Sequence, residues 1–172
     1  MCTVSQPEDI PVTETLKSST QRVQAYLNSR GLDLKVRQIP ATTRTAAEAA
    51  KAVSCDISCI AKSLIFRTCD SQKPVLIIAS GSNRVDLKKA GEVIGTKLEQ
   101  ADADFARKHT GYAIGGIPPI AHAGTTATLL DRDLMKKPVI WAAAGTPNSL
   151  FSLAPDELQD LTGAEWVAIA ED

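Results

Sequence analysis

The chain is poor in the groups on which most hydrolases and metalloproteins rely. Its 172 residues include two histidines, His109 and His122, with three Phe, two Trp and two Tyr. It has no G-x-x-x-x-G-K-[ST] phosphate loop, no G-x-G-x-x-G turn after a strand and no G-x-S-x-G elbow, which sets aside the common nucleotide-binding and α/β-hydrolase chemistries. Four cysteines occur, Cys2, Cys55, Cys59 and Cys69. Cys55 and Cys59 would stack on one helical face, but no second pair lies near them, so no metal is expected. They read instead as small, buried, reduced thiols. The opening MCTVSQPEDI is polar and acidic rather than a secretory signal, and no apolar run reaches the length of a membrane span. A cytoplasmic protein without a membrane partner is expected. The formal net charge of −1 argues against wholesale coating of nucleic acid, and DNA is not an expected partner.

What is present points to one mixed domain. Hydrophobic residues make up 44% of the chain, and with so few aromatics Leu, Ile, Val and Ala must fill the core. Residues 1–12, with Pro7 and Pro11 among polar neighbours, read as a flexible N-terminal arm, and residues 13–172 as the domain. Charge is unevenly spread. Residues 30–89 carry 11 Lys and Arg against 5 acidic residues, and residues 90–172 carry 6 against 12. That polarity either offers a basic face to a phosphate-bearing partner or is two solvated surface patterns.

Periodicity supplies the elements. Apolar Leu16, Val23 and Leu27 predict a helix from Thr13 to Arg30, stopped by Gly31. Alternation in LDLKVRQI predicts a half-buried strand. TRTAAEAAKAV is an Ala-rich helix with Thr45 and Glu48 at capping-box spacing. A helical turn over Ile57–Ala61 leads into the strands SLIFRT and PVLIIAS. Asn83 is placed to cap a helix from Arg84 to Ile94, and a further helix spans Ala103–His109. TATLLD, PVIWAA and EWVAIA read as strands. APDELQDLTG reads as a helix with Pro155 in its first turn. The irregular alternation favours a compact mixed α/β domain over a doubly wound parallel sheet.

Three features could carry chemistry. Lys62, in CIAKSLIF, stands where an apolar strand begins, at the rim of a sheet, within reach of a phosphate or carbonyl. Gly115 to Pro119, GGIPP, can aim backbone N–H groups at a developing oxyanion while its prolines hold them in place. AAAGTPNSL places Gly145, Pro147 and Asn148 in a turn after an apolar strand. Taken singly, each also fits a plain role as strand-end lysine, tight turn or strand–turn–strand.

Together and in this order they resemble the YbaK-like aminoacyl-tRNA deacylases, the prolyl-tRNA synthetase-associated domain family. The resemblance runs from about Leu16 to Ala170. It rests on IAKSLIF, SGSNRVDLKKA, TGYAIGGIPP and AAAGTPNSLFSLAPDEL. It implies one domain with a mixed, curved, barrel-like sheet and surrounding helices. It also implies a trans-editing deacylase that cleaves the ester between a wrong, small amino acid (Ala, Ser, Thr or Cys) and the terminal ribose of tRNA. Partners would be the CCA end of an aminoacyl-tRNA and, in some settings, a synthetase. By the same resemblance Lys62 would meet phosphate, Gly115 and Gly116 would form the catalytic backbone, and Pro119 would fix the loop. Pro118, Pro119, Gly145 and Asn148 are the candidate substrate-binding set, joined by His122, which either binds the substrate's amino group or carbonyl or holds the loop. A free ribose hydroxyl beside the ester would activate water, with no metal or cofactor. The departures are Pro118, Ile120-Ala121 followed by His122, and the stretch Ala143 to Asn148, which lacks the basic pair many relatives carry there. These leave a non-catalytic module that binds a tRNA end or a synthetase as the alternative.

Overall fold

The computed structural model describes residues 17–40 and 43–172. The expected arm and the predicted helix start at Thr13–Leu16 lie outside them. In chain order the elements are α1 (Ser18–Ser29), β1 (Arg37–Gln38), α2 (Ala46–Ala52), β2 (Ile60–Thr68), β3 (Pro74–Ser80), α3 (Leu87–Ile94), β4 (Leu98–Gln100), α4 (Ala103–Thr110), β5 (Ala127–Asp131), β6 (Ile140–Ala143), β7 (Ser149–Leu153), α5 (Pro155–Thr162) and β8 (Glu165–Val167). Short 3₁₀ turns cover Ile57–Cys59 and Arg132–Lys136.

β2 organises the sheet. One edge pairs antiparallel with β3 from Ala61↔Ser80 to Arg67↔Pro74. The other edge is divided: Ile60 and Ala61 run parallel to β6, and Phe66 to Thr68 antiparallel to β4. The order along the sheet is β1-β7-β6-β2-β3-β5-β8, with β4 off this path on β2, and it is mixed in direction as expected. The sheet is open, with β1 and β8 at its ends, and does not close into a barrel.

Alternation along the strands sorts the core onto two faces. Ala61, Ile65, Leu76, Ile78 and Leu130 pack with Val23 and Leu27 of α1, Leu158 and Leu161 of α5, and Tyr112, Ile117 and Ile120 of the loop after α4. Phe66, Ile77 and Leu129 pack on the other side with Ala90 of α3 and with Ile169. A third cluster seats α2, through Ala49 and Ala50, on Ile60, Trp141 and Leu150. Leu27, Leu130 and Leu158 are fully buried, and each such side chain contributes about 1.5–3 kcal/mol.

Local signals correspond closely to several elements. The capping box forms: Thr45 Oγ1 accepts from Glu48 N–H, and Glu48 accepts from Thr45 N–H, both at 3.1 Å. Other expectations need correction. The strand predicted over Leu32–Ile39 reduces to Arg37–Gln38. Gln24 of α1 takes the preceding backbone instead, donating to Leu34 O at 2.9 Å and accepting from Val36 N–H at 2.8 Å. Asn83 does not cap α3. Residues 84–86 run extended against 169–171, with a Val85↔Ala170 bridge, so the helix starts later and Asp86 caps it. The same bridge takes Ala170 out of the last predicted strand, which ends at Val167. Of the cysteines expected to be buried, Cys59 is, Cys55 is half-buried and Cys69 is exposed.

Candidate functional site

The loop after α4 is tied down at many points. Ala123 N–H donates to Thr110 O at 2.9 Å and closes its two ends. Thr110 Oγ1 donates back to Ala106 O and accepts from Tyr112 N–H. The Tyr112 hydroxyl donates to Ala121 O at 2.8 Å, and the Arg22 guanidinium stacks on the Tyr112 ring, 4.7 Å from its centroid. Ile117 and Ile120 are buried anchors. The loop therefore presents a fixed backbone rather than a mobile one.

Two of its glycines have different jobs. Gly115 has φ +94°, a conformation that L side chains rarely adopt. Its N–H has no hydrogen-bond partner among the described residues, and its open side faces Arg44, whose Cγ would lie 3.5 Å from an added Cβ. Gly116 is a close-approach position. A Cβ there would fall 2.8 Å from Thr146 Cα and 2.9 Å from its N and C. Gly116 N–H donates to Ala113 O at 3.0 Å, and its carbonyl accepts from Gly145 N–H at 2.9 Å. Expected to share the catalytic backbone, Gly116 thus has both polar groups engaged, and the Gly145 N–H is committed to it.

The turn after β6 is the partner of this loop. Thr146 Oγ1 lies 2.6 Å from Ser149 Oγ, which lies 3.1 Å from Thr20 Oγ1 in α1. Thr43 N–H and Oγ1–H both donate to Pro147 O, and Ile39 N–H donates to Asn148 O at 2.7 Å. The Asn148 carbonyl therefore ties the turn to the chain leading into α2.

His122 braces the second half of the loop. Its Nε2 lies 2.6 Å from Pro118 O. A carbonyl can only accept, so the ring donates from Nε2–H, and that nitrogen is not available as a base. Burial pushes the imidazole below the ordinary histidine value, and the bond to the Pro118 carbonyl opposes this. The neutral ring favoured in the fold must charge as acid is added. Its stabilising contribution is therefore full above about pH 6.5, the unfolded value, and is lost as pH falls through the lower folded value. Thermal unfolding between about pH 7.5 and 5 should show a decline that flattens in His122→Gln; an unchanged slope in that variant would refute the assignment.

Ala121 has φ +64°, in the left-handed region, between its bonded neighbours. For a residue with a Cβ this conformation costs about 1–2 kcal/mol. Ala121→Gly is therefore expected to raise or hold the melting temperature, where a glycine ordinarily lowers it through chain entropy. A clear fall on thermal melting would contradict the strain.

Lys62 lies elsewhere. Its Nζ donates to Asn83 O at 2.5 Å, beside the buried Asp131 carboxylate. Burial draws the amine below the ordinary lysine value, and Asp131 pulls it back up. Lys62 alternates with Leu64 and Phe66 toward the α3 face, whereas Ala61 and Ile65 share the other face with Ile117 and Ile120. Among the described residues no hydrogen bond joins Lys62 to the glycine loop. Residues 43–46 border both: Arg44 faces Gly115, and Ala46 Cβ would lie 3.0 Å from a Cβ on Gly81, two residues before Asn83. A groove of about 620 Å³ opens between Pro119–His122, Arg22 and Tyr26 of α1, and Thr162 of α5. It contains neither Lys62 nor Gly115, so its size does not locate the chemistry. Pro119 and His122 line it, and Pro118 enters the site through its carbonyl.

Sequence reasoning passed over Arg22, Arg44 and Asp131. The one signal available was for Asp131, a carboxylate closing the apolar strand TATLLD. Among the described residues no group of His, Cys, Asp and Glu could hold a metal ion, and no helix is long and apolar enough to cross a membrane.

Residues 40–161 match the family model described as an aminoacyl-tRNA editing domain. The chain is 28% identical over 155 residues to the protein YwhH of Bacillus subtilis (strain 168), covering 90% of this chain and 98% of that one. It is 29% identical over 115 residues to the "Putative Cys-tRNA(Pro)/Cys-tRNA(Cys) deacylase EbsC" of Enterococcus faecalis (strain ATCC 700802 / V583), covering 64% and 70%. Among solved structures it is similar to a "putative trans-editing enzyme for prolyl tRNA synthetase", with 45% identity, a TM-score of 0.86, and 92% and 100% of the two chains covered. It is also similar to the hypothetical protein APE2540, at 29% identity and a TM-score of 0.82 over 87% and 99%.

Proposed function

The chain belongs to the aminoacyl-tRNA editing domain family, and on that premise we propose that it is a cytoplasmic trans-editing deacylase for tRNA mischarged with a small amino acid. The ester would lie along the chain leading into α2, between Gly115 and Lys62. Water adds to the ester carbonyl carbon, the bond from that carbon to the ribose oxygen breaks, and the ribose oxygen takes a proton. The free neighbouring hydroxyl of the terminal ribose orients the water and passes the proton. The Gly115 N–H faces the oxygen on which negative charge develops, and Lys62 holds a phosphate of the CCA end.

The observation that supports this reading best is Gly115. Its backbone is held in the left-handed region on a loop braced by Tyr112, His122 and the Gly116–Thr146 contact, and its N–H is unspent among the described residues. A preorganised donor of this kind is typically worth about 10²–10³ in rate. The ribose hydroxyl supplies the proton relay that His122 cannot supply from Nε2. Single-stranded CCA needs only a small recognition surface, which suits a chain with few aromatics and a net charge of −1.

One observation favours a second reading, a module that binds a tRNA end or a synthetase without turnover: the Gly116 amide is engaged, which leaves Gly115 to act alone. Purified protein incubated with Ala-, Ser-, Thr- and Cys-charged tRNA separates the two. Release of at least one amino acid, undiminished by a chelator, is expected; binding of the panel with no release would replace the enzyme by the module.

A further inference from the structure

We propose that Asp131, acting through Asn83, is the positioning residue for Lys62. The inference rests on the reading in which Lys62 holds substrate phosphate.

The geometry is a short relay at the end of β3 and β5. Asp131 is 1% exposed, the last residue of β5, on the same face of the sheet as Lys62. Its Oδ2 accepts from Ser80 N–H at 3.0 Å and from Asn83 Nδ2 at 2.8 Å, and its Oδ1 accepts from Asp133 N–H at 3.0 Å. Asn83 gives a second bond from Nδ2 to Asp133 Oδ2 at 2.8 Å. Both carboxylates thus grip one amide side chain, and the backbone carbonyl of that same residue receives Lys62 Nζ. Ser80 Oγ donates to Ser58 O at 2.8 Å and fixes the other side of the turn.

A buried carboxylate is costly unless it is paired and bonded. Here three N–H donors satisfy it, and the Lys62 ammonium opposes its charge. Lys62 is correspondingly half-buried with one of its three donors committed, which leaves a directed cation rather than a free surface chain. The charged groups around the relay are Asp131, Asp133 and Lys62 itself, with Arg132 and Lys136 both acting on Asp133. Lys136 draws on Asp133 from the outer side, 2.9 Å from its Oδ1. Asp133 has its own cation, so Asp131 is the carboxylate left to balance Lys62.

The test uses the full chain and the mischarged tRNA that it cleaves fastest. Asp131→Asn removes the charge and one acceptor oxygen at constant size. Asn83→Ala leaves the backbone carbonyl but cuts its tether, and serves if the first variant does not fold. Lysines carrying ¹³C-methyl groups, followed by NMR across pH, report the titration of Lys62, assigned by its absence in Lys62→Met. In Asp131→Asn the Lys62 resonance should titrate at lower pH than in the parent. In Asn83→Ala the titration should broaden or shift. In either variant kcat should fall at least about tenfold, with KM changed less, because misplacement by about 1 Å suffices for larger losses. A purely structural role would lower the melting temperature and leave the Lys62 titration where it was. That outcome, or unchanged turnover in both folded variants while Lys62→Met is inactive, overturns the inference and leaves the functional reading standing. Undiminished activity in Lys62→Met overturns the reading of Lys62 and the inference with it.

Discussion

Gly116→Ala is expected to unseat the site. The added methyl would lie within 2.9 Å of three backbone atoms of Thr146, none of which can rotate away. The loop and the turn after β6 must then separate, and the Gly145 N–H to Gly116 O bond at 2.9 Å goes with them. Overpacking of this kind costs about 1–3 kcal/mol, and the lost bond about 1 kcal/mol more. For a domain of this size each kcal/mol moves the melting temperature by about 2–4 °C. Activity should suffer more than stability. Gly115 is the preceding residue, and a shift of about 1 Å at an oxyanion donor can cost about 10²-fold. Differential scanning calorimetry and single-turnover hydrolysis should therefore both register the change. Gly124→Ala is the milder comparison, since its one contact within 4 Å would be His109 O at 3.3 Å. If Gly116→Ala melts and hydrolyses as the parent does, the loop does not depend on Thr146.

Lys62→Met should cost about 10²-fold or more in kcat/KM for mischarged tRNA, the scale of loss expected when a substrate is misplaced. Methionine keeps the length of the stem and its packing, so the change isolates the ammonium. Rising salt should weaken the parent and affect the variant less, because a phosphate contact carries a counterion-release term. Lys62→Arg keeps the charge but spreads it over a planar fork, and the single acceptor Asn83 O suits a point donor better. A partial rescue is therefore expected. Full activity in Lys62→Met, measured at the parent's salt optimum, would remove this lysine from the mechanism.

Much of this is legible in the order of the amino acids, and the parts that are not share a common cause. Spacing within a few residues carries the α2 capping box, the β2 and β3 runs and the Pro155 helix start, because the interactions involved are local. The glycine loop is recognisable as special backbone for the same reason. Long-range competition decides the rest. Gln24 of α1 takes the backbone that LDLKVRQI would have offered to a neighbour strand. Pairing of Val85 with Ala170 moves the start of α3 from Asn83 to Asp86 and releases Asn83 for Asp131. The short strands β4 and β7 owe their existence to β2 and β6, whose edges they complete.

The site shows the same division. Residue types single out Lys62 and Gly115 as candidates, but their placement apart follows from register, which one sequence does not display. The engagement of the Gly116 amide arises from a turn onto Ala113, three residues back, that many loops of this composition could make or omit. His122, read from the sequence as binding substrate or holding the loop, lies against the Pro118 carbonyl through its Nε2. Ala121 proves to be the strained position next to it.

The proposed ester hydrolysis relies on a backbone donor and the substrate's own hydroxyl in place of a protein base. The direct measurement is single-turnover hydrolysis of the best mischarged tRNA, carried on a terminal adenosine with and without the ribose hydroxyl next to the ester. Cleavage of the intact substrate is expected, with a rate at least about 10²-fold lower without that hydroxyl, the usual size of a general acid–base contribution. Equal rates on the two substrates, or no cleavage of the intact one, would contradict it.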